Sequence, residues 1–259
     1  MENIGRAMVP VALMGIGRLG TKIADALTEG KAPRCRLTGI FARDPEKTAA
    51  AAARYGCFGC TEIDRLIALQ PSYVIEASKP EAVKAYVPAL LEAGISVISL
   101  STGAFADPDF LEICDRLALE HGARVYLASG CLGGFDLAGT MAAMGGLTGT
   151  AIQFRAPKRP DAPPTPMDRL PETFAGTALE GFALSPAHLN IVIAAALACG
   201  GPEHSRFEIR PSENGKSSFG LDLANDATLA SVRIEANSFD LIAMSAVARL
   251  DRLTRGVTF

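Results

Sequence analysis

The chain has 259 residues, 49% of them hydrophobic and 20% charged, with a formal net charge of −3 from 25 Lys+Arg and 28 Asp+Glu. This balance excludes a polybasic footprint for nucleic acid or an anionic membrane surface, and the apolar content is too high for a disordered chain. With no tryptophan and only 6% aromatic residues there are few platforms for stacking bases, so the expected partner is a small molecule rather than nucleic acid or membrane.

The opening segment lacks the features of an export signal: its apolar run over 9–13 is short and followed by glycines. No stretch reaches the roughly 18 apolar residues of a membrane span, and the expected location is cytoplasmic. Six cysteines (35, 57, 60, 114, 131 and 199) are scattered through a chain large enough to fold without disulfides, so they are expected as thiols. Cys57 and Cys60 form a CxxC, but no second pair or nearby histidine completes a zinc site. The motif abuts a short apolar strand rather than opening a helix, which argues against redox chemistry.

In chain order, the pattern predicts a strand over 9–14, a glycine-rich turn and a helix over 19–28 with Leu19, Ile23, Ala26 and Leu27 on one face. A strand over 35–42 precedes an alanine-rich helix over 45–55, with Asp44 as N-cap and Pro45 at the first helical position. Then follow a helix over 63–69, a strand over 73–76, a helix over 80–93, a strand over 96–101, a helix over 108–121 and a strand over 124–128. Strands alternating with helices of this length predict an α/β domain built on a Rossmann-type, doubly wound parallel sheet.

The character changes after Ser129. Prolines at 157, 160, 163, 164, 166 and 171 predict a loop. A helix is expected over 189–198. The run 206–235 reads as antiparallel strands separated by Asn-Gly and Asn-Asp turns, and a last helix is expected over 239–253. The division expected is a dinucleotide-binding domain, 1–132 plus 236–259, and a second α+β domain, 133–235, for substrate and dimerisation.

Gly15-Ile16-Gly17-Arg18-Leu19-Gly20 is a GxGxxG between a predicted strand and a predicted helix. Gly15 permits the tight turn, Gly17 lets the backbone approach a pyrophosphate, and Gly20 lets helix and strand pack closely. The end of the second strand, where an acidic residue would bind the ribose hydroxyls of NAD, reads Phe41-Ala42-Arg43-Asp44. Ala42 stands at the acid's position and Arg43 follows it. A guanidinium suits a 2′-phosphate, so NADP is the expected cofactor, with NAD possible.

Further blocks carry a resemblance. Glu76-Ala77-Ser78-Lys79-Pro80-Glu81-Ala82-Val83-Lys84-Ala85-Tyr86 is similar to "ECASPEAVKEY", and Ser101-Thr102-Gly103-Ala104 with Asp107 to "SxGAxxD". Ser129-Gly130-Cys131-Leu132-Gly133-Gly134-Phe135-Asp136 is similar to "SGAxGGLD". Phe174 to Ala178 resembles "FEGSA", and Pro186-Ala187-His188-Leu189-Asn190 resembles "PKNAN". Together these blocks, spread over nearly the whole chain, resemble the L-aspartate dehydrogenase family.

The resemblance implies a Rossmann domain with a second α/β domain, a homodimer, and hydride transfer between a nicotinamide and an amino or imino acid. The glycine motif and the charge after the second strand make Gly15, Ile16, Gly17, Arg18 and Leu19, with Ala42 and Arg43, the expected dinucleotide-binding residues. Ala77, Ser78, Thr102, Gly103 and Ala104 would line the cofactor channel, and Ser129, Gly130 and Asn190 would bind the substrate. The sequence also departs from the family. Phe219 stands at the position of the family's catalytic histidine, "NPKTS" is replaced by Ala236-Asn237-Ser238-Phe239, and His188 and Lys79 replace an asparagine and a serine. His188 and Lys79 are therefore the candidate catalytic residues, able to move a proton or pair with a carboxylate. A dehydrogenase or imine reductase for another substrate, and a non-catalytic NADP(H)-binding module, are the alternative readings. No metal site is expected.

Overall fold

The computed structural model describes residues 8–156, 170–186, 188–212, 214–235 and 240–258. The chain forms two compact units, Met1–Ala128 with Ile242–Phe259, and Ser129–Leu241.

The first unit alternates strand and helix: β1 (Val9–Met14), α1 (Arg18–Thr28), β2 (Cys35–Phe41), α2 (Pro45–Tyr55), β3 (Phe58–Cys60), α3 (Ile63–Ile67) and β4 (Tyr73–Glu76). It continues with α4 (Pro80–Glu92), β5 (Ser96–Ser99), a 3-10 turn (Thr102–Ala106), α5 (Pro108–Glu120) and β6 (Val125–Leu127). The six strands lie in the order β3-β2-β1-β4-β5-β6 and every pair is parallel. This is the doubly wound Rossmann order, with its switch point between β1 and β4.

A parallel sheet covered on both faces needs strands that are apolar throughout. Val11, Ala12 and Leu13 are fully buried and Met14 nearly so. Side chains alternate between the faces: Val11, Leu13, Ile75 and Ile98 join one core with Ile23, Ala24 and Leu27 of α1. Helix boundaries follow the caps. The Asp44 side chain accepts from Lys47 N at 3.0 Å ahead of Pro45, and Asp107 accepts from Phe110 N at 3.4 Å ahead of Pro108. The short strand expected beside the CxxC is β3, which includes Cys60 itself, whereas the 3-10 turn after β5 was not legible.

The second unit contains α6 (Phe135–Ala143), β7 (Gly149–Ala156), β8 (Phe174–Thr177), α7 (Ala178–Leu184), α8 (Asn190–Ala198), β9 (Arg206–Pro211), β10 (Ser218–Ala224) and β11 (Leu229–Glu235). Its sheet order is β11-β10-β7-β9-β8. Here the structure corrects the sequence reading. β9 and β10 are not antiparallel neighbours, because β7 lies between them, parallel to β9 and antiparallel to β10. The Asn225-Asp226 turn does join a true hairpin, β10 to β11, with Asn225 Oδ1 accepting from Ala227 N and Thr228 N. The proline-rich loop expected over 157–171 lies, for 157–169, outside the described residues.

One face of this sheet is apolar. Ile152 and Phe154 of β7 meet Phe207 and Ile209 of β9 in register, and all four are buried. The opposite face is polar, as the alternation in Arg206-Phe207-Glu208-Ile209-Arg210 requires. Gln153 Nε2 and Ser231 Oγ both donate to the Asp222 carboxyl at 2.6 Å. Glu208 is buried between Arg206 and Arg210, which pair with it at 2.7 and 2.6 Å. Burial pushes the Glu208 carboxyl up, but the two guanidiniums outweigh it and leave its pKa below the ordinary glutamate value.

The last helix, α9 (Asp240–Thr254), follows β11 in sequence yet buries Ala243, Ala246, Val247 and Leu250 in the core of the first unit.

Candidate active site

The glycine-rich turn leaves the C-terminal end of β1, beside the switch point. Gly15 has φ +99°, and a side chain there would meet the carbonyl oxygen of Ala77 at 2.6 Å. The turn is therefore pressed against the start of the loop after β4. Gly15 N donates to Phe41 O and Ala77 N to Met14 O, both at 2.8 Å, so the ends of β2, β1 and β4 are tied side by side. A side chain on Gly20 would run into the Gly15 carbonyl, which is the close helix–strand approach expected of that position.

Gly17 differs: a side chain there would meet no atom within 4 Å. It is the N-cap of α1, makes no side-chain capping bond, and the first turn carries no acidic residue. Backbone N–H groups at such a helix start suit a pyrophosphate, and the open space beside Gly17 is where one would sit. The residues present thus fit a dinucleotide. Ile16 and Leu19 turn their side chains to the apolar core, so their contribution there would come from the backbone. Arg18 is exposed on the first turn.

At the end of β2, Ala42 N donates to Cys60 O at 3.2 Å, and Arg43 is exposed immediately before the capping Asp44. Ala77 and Ser78 are half-buried after β4, and Lys79 is exposed as the N-cap of α4, making no side-chain capping bond. Thr102, Gly103 and Ala104 form the 3-10 turn after β5 and are buried. Burial raises the Cys57 and Cys60 thiols above their ordinary pKa, which disfavours the thiolate that redox chemistry needs.

One residue here was missed from the sequence. Glu76, the last residue of β4, is fully buried. Its Oε1 accepts from Ser78 N at 2.7 Å, Ser78 Oγ at 2.8 Å and Ser101 Oγ at 2.8 Å. Its Oε2 accepts from Ser99 Oγ at 2.7 Å and Ser101 N at 2.9 Å. Burial of a carboxyl without a cationic partner is tolerable only when its lone pairs are met in this way. The available signal was an acidic residue closing an apolar strand, with serines at 78, 99 and 101.

In the second unit, the structure brings two predicted segments together. Gly130, at φ +61°, faces the side chain of Ile191, whose Cδ1 would lie 3.2 Å from a Cβ on Gly130. Ser129-Gly130 therefore sits against the first turn of α8, which Asn190 opens. His188 is exposed just before that helix, with Nδ1 3.1 Å from Ser185 Oγ. Phe219 lies on the apolar face of the sheet, 9% exposed and stacked on Phe154 with ring centroids 4.7 Å apart. His121 caps the C-terminal end of α5, and His204 is exposed in the turn before β9.

Comparison with known proteins agrees with this geometry. Residues 15–128 match the family described as homoserine dehydrogenase, NAD binding domain. The L-aspartate dehydrogenase of Methanothermobacter thermautotrophicus is 30% identical over 193 residues, 74% of this chain and 73% of that protein. L-aspartate dehydrogenase 1 of Bordetella pertussis is 29% identical over 207 residues, covering 77% of this chain and 75% of that protein. In fold, the chain matches the crystal structure of aspartate dehydrogenase from Thermotoga maritima with a TM-score of 0.75 and 22% identity, over 97% of this chain and 99% of that one. A Rossmann sheet, a glycine turn shaped for a pyrophosphate and relatives of this kind over most of the sequence lead to one conclusion: the chain belongs to the L-aspartate dehydrogenase family of NAD(P)-dependent amino acid dehydrogenases.

Proposed function

We propose that the protein transfers hydride between NADP(H) and an acidic amino or imino acid, with the aspartate/iminosuccinate pair as the first candidate. The observation that carries the reading is the turn at Gly15–Gly20, with open space at Gly17 and Gly15 packed on the loop after β4. The cofactor supplies the hydride chemistry, and the chain must orient it and manage charge and protons around the substrate. In this reading the first unit is the dinucleotide-binding domain and the second the substrate domain. Gly15 to Leu19 hold the pyrophosphate, Ala42 leaves room at the ribose, and Arg43 pairs with the 2′-phosphate. Ala77, Ser78 and the turn Thr102-Gly103-Ala104 form the wall of the cofactor channel. Because Thr102 and Ala104 are buried, their part in that wall is to set the backbone rather than to offer a side chain.

Ser129, Gly130 and Asn190 would bind a substrate carboxylate, while His188 and Lys79 would pair with it or carry the amine proton. The contact between Gly130 and Ile191 supports treating 129–130 and 188–190 as one group. Protein mixed with NADPH, oxaloacetate and ammonia should oxidise the cofactor, read at the nicotinamide absorbance band. Tight NADPH binding without turnover on any oxo-acid and amine would overturn the enzymatic part of the reading.

A second reading is favoured by Phe219. An aromatic ring stacked on Phe154 offers no titratable group where the family carries its histidine. Turnover with other oxo-acids and amines, but not with oxaloacetate and ammonia, would make the protein a dehydrogenase or imine reductase of a different acid.

Two kinetic results are expected. His188→Ala and Lys79→Ala should each lower kcat/KM at least tenfold, about 1.4 kcal/mol of transition-state stabilisation. Losses below tenfold for both would remove them from the chemistry. Arg43→Ala should weaken NADPH roughly tenfold while leaving NADH nearly unchanged, because a charge-assisted hydrogen bond to the 2′-phosphate contributes about 1.5–3 kcal/mol and Arg43 is exposed. An unaltered NADPH preference would reject the assignment.

We also propose a homodimer formed through the polar face of the second sheet. That face carries both signs of charge, Arg206, Arg210 and Arg233 with Glu208 and Asp222, and so can complement itself about a two-fold axis. Sedimentation should give twice the chain mass, and Arg210→Glu with Arg206→Glu should shift it to one. A monomeric wild-type protein would exclude the proposal.

A further inference from the structure

Glu76 has no part in the function proposed above, yet it is a fully buried carboxyl placed beside the switch point of the sheet. What it holds is informative. Ser78 N and Oγ belong to the loop after β4, while Ser101 N and Oγ belong to the loop after β5. Ser99 Oγ, from within β5 and itself fully buried, completes the set. One carboxyl therefore joins, through side chains, two crossover loops that the backbone ties only at their first residues, where Leu100 N donates to Glu76 O at 3.0 Å. Ala77, between Glu76 and Ser78, is the residue against which Gly15 packs. The Glu76 carboxyl thus adds to the backbone ties of the strand ends a side-chain link between the loop 77–79, on which the glycine-rich turn packs, and the loop that begins at Leu100.

We propose that Glu76 is a positioning residue for the dinucleotide: it sets the wall formed by these loops, so that the nicotinamide is held in the geometry for hydride transfer. The inference rests on the reading that this edge of the sheet binds NADP(H). The physical case is one of geometry and cost. Apolar residues of similar volume could fill the space between β4 and β5 without desolvating a carboxyl. A carboxyl that accepts five hydrogen bonds, by contrast, fixes both loops in direction as well as in distance, which packing alone does not do. Hydride transfer depends on placement to well under 1 Å, so a loop that moves by a fraction of that costs rate before it costs binding.

Glu76→Gln keeps the shape but turns an NH2 group towards N–H and hydroxyl donors: at the Oε2 position it forfeits the bond from Ser101 N and inverts that from Ser99 Oγ, and at the Oε1 position it forfeits the bond from Ser78 N and inverts both hydroxyl bonds. Ser99→Ala is the sharper variant. Ser99 lies within the sheet, is fully buried and, in the reading above, touches neither cofactor nor substrate, so it can act on the reaction only through Glu76.

The experiment uses the full chain and measures NADPH binding, the emission spectrum of bound NADPH, and kcat and KM with oxaloacetate and ammonia, or with the amino acid pair found active. Ser99→Ala is expected to lower kcat three- to tenfold with the KM for NADPH changed less than twofold, and to shift the emission of bound NADPH. Glu76→Gln is expected to lower kcat more than tenfold, and adding Ser99→Ala to it should cause no further loss. A thermal midpoint lowered in both variants with kcat and the emission spectrum unaltered would overturn the proposal and leave Glu76 a purely structural group. If Glu76→Gln does not fold, Ser99→Ala alone decides by the same two readouts. Should wild-type protein bind neither NADPH nor NADH, the cofactor reading itself fails, an outcome separate from any behaviour of the variants.

Discussion

Replacing Gly15 by alanine is expected to abolish detectable binding of NADPH and to destabilise the first unit by roughly 2–5 kcal/mol. Two effects add. At φ +99° an alanine sits in a region that side chains rarely adopt, and its methyl would press on the Ala77 carbonyl, a backbone atom that cannot rotate away. Either the turn or the loop after β4 must move, and both lie where the pyrophosphate and nicotinamide would be held. Gly17→Ala is the informative partner. Gly17 has an ordinary φ of −78° and open space around its Cβ position, so stability should change by no more than about 1 kcal/mol. NADPH binding should nevertheless fall steeply, because the methyl occupies the space the pyrophosphate needs. Urea unfolding and NADPH titration of the two variants separate these effects. Equal losses of stability in both, or retained binding in Gly17→Ala, would contradict the assignment of the turn.

The second large effect is expected at Phe207. Its ring is fully buried on the apolar face of the second sheet, with the Phe174 ring centroid 5.9 Å away. α7 crosses so closely that any side chain at Gly181 would run into the ring. Phe207→Ala therefore opens a cavity bounded by β8, β9 and α7, at a cost of about 3–5 kcal/mol. The loss should be local. Hydrogen exchange is expected to speed up at amides of β8, β9 and α7, while amides of β1 and β4 keep their protection. A change of less than 1 kcal/mol, or uniform loss of protection across both units, would show that the ring does not organise this layer.

The first unit was largely legible because its determinants are local. Asp44-Pro45 and Asp107-Pro108 announce helix starts, and Val9–Met14 and Tyr73–Glu76 are short apolar runs between turn residues. A parallel sheet then follows from the alternation itself. The second unit was less legible because its sheet depends on choices between distant segments. β7 carries no strong strand signature and is followed by the proline-rich stretch, so nothing nearby indicates that it separates β9 from β10. Asn214-Gly215 reads as a hairpin turn, yet it links strands that flank β7 rather than each other. In the candidate site, the glycine turn after β1 and the place of Arg43 just after β2 could be read from spacing. The Glu76 cluster could not, since it joins residues 25 positions apart whose meeting depends on the register of β4 with β5. The placement of Gly130 against Ile191 is long-range in the same sense.

The return of α9 to the first unit bears on how the protein is made. All six strands of the Rossmann sheet are synthesised before residue 128, but Ala243, Ala246, Val247 and Leu250 are needed to cover one of its faces. While the ribosome works through the second unit, Leu13, Ile75 and Ile98 await part of their cover. The unit begun first is thus finished last, and until α9 emerges the nascent chain exposes an apolar surface of the kind that chaperones recognise.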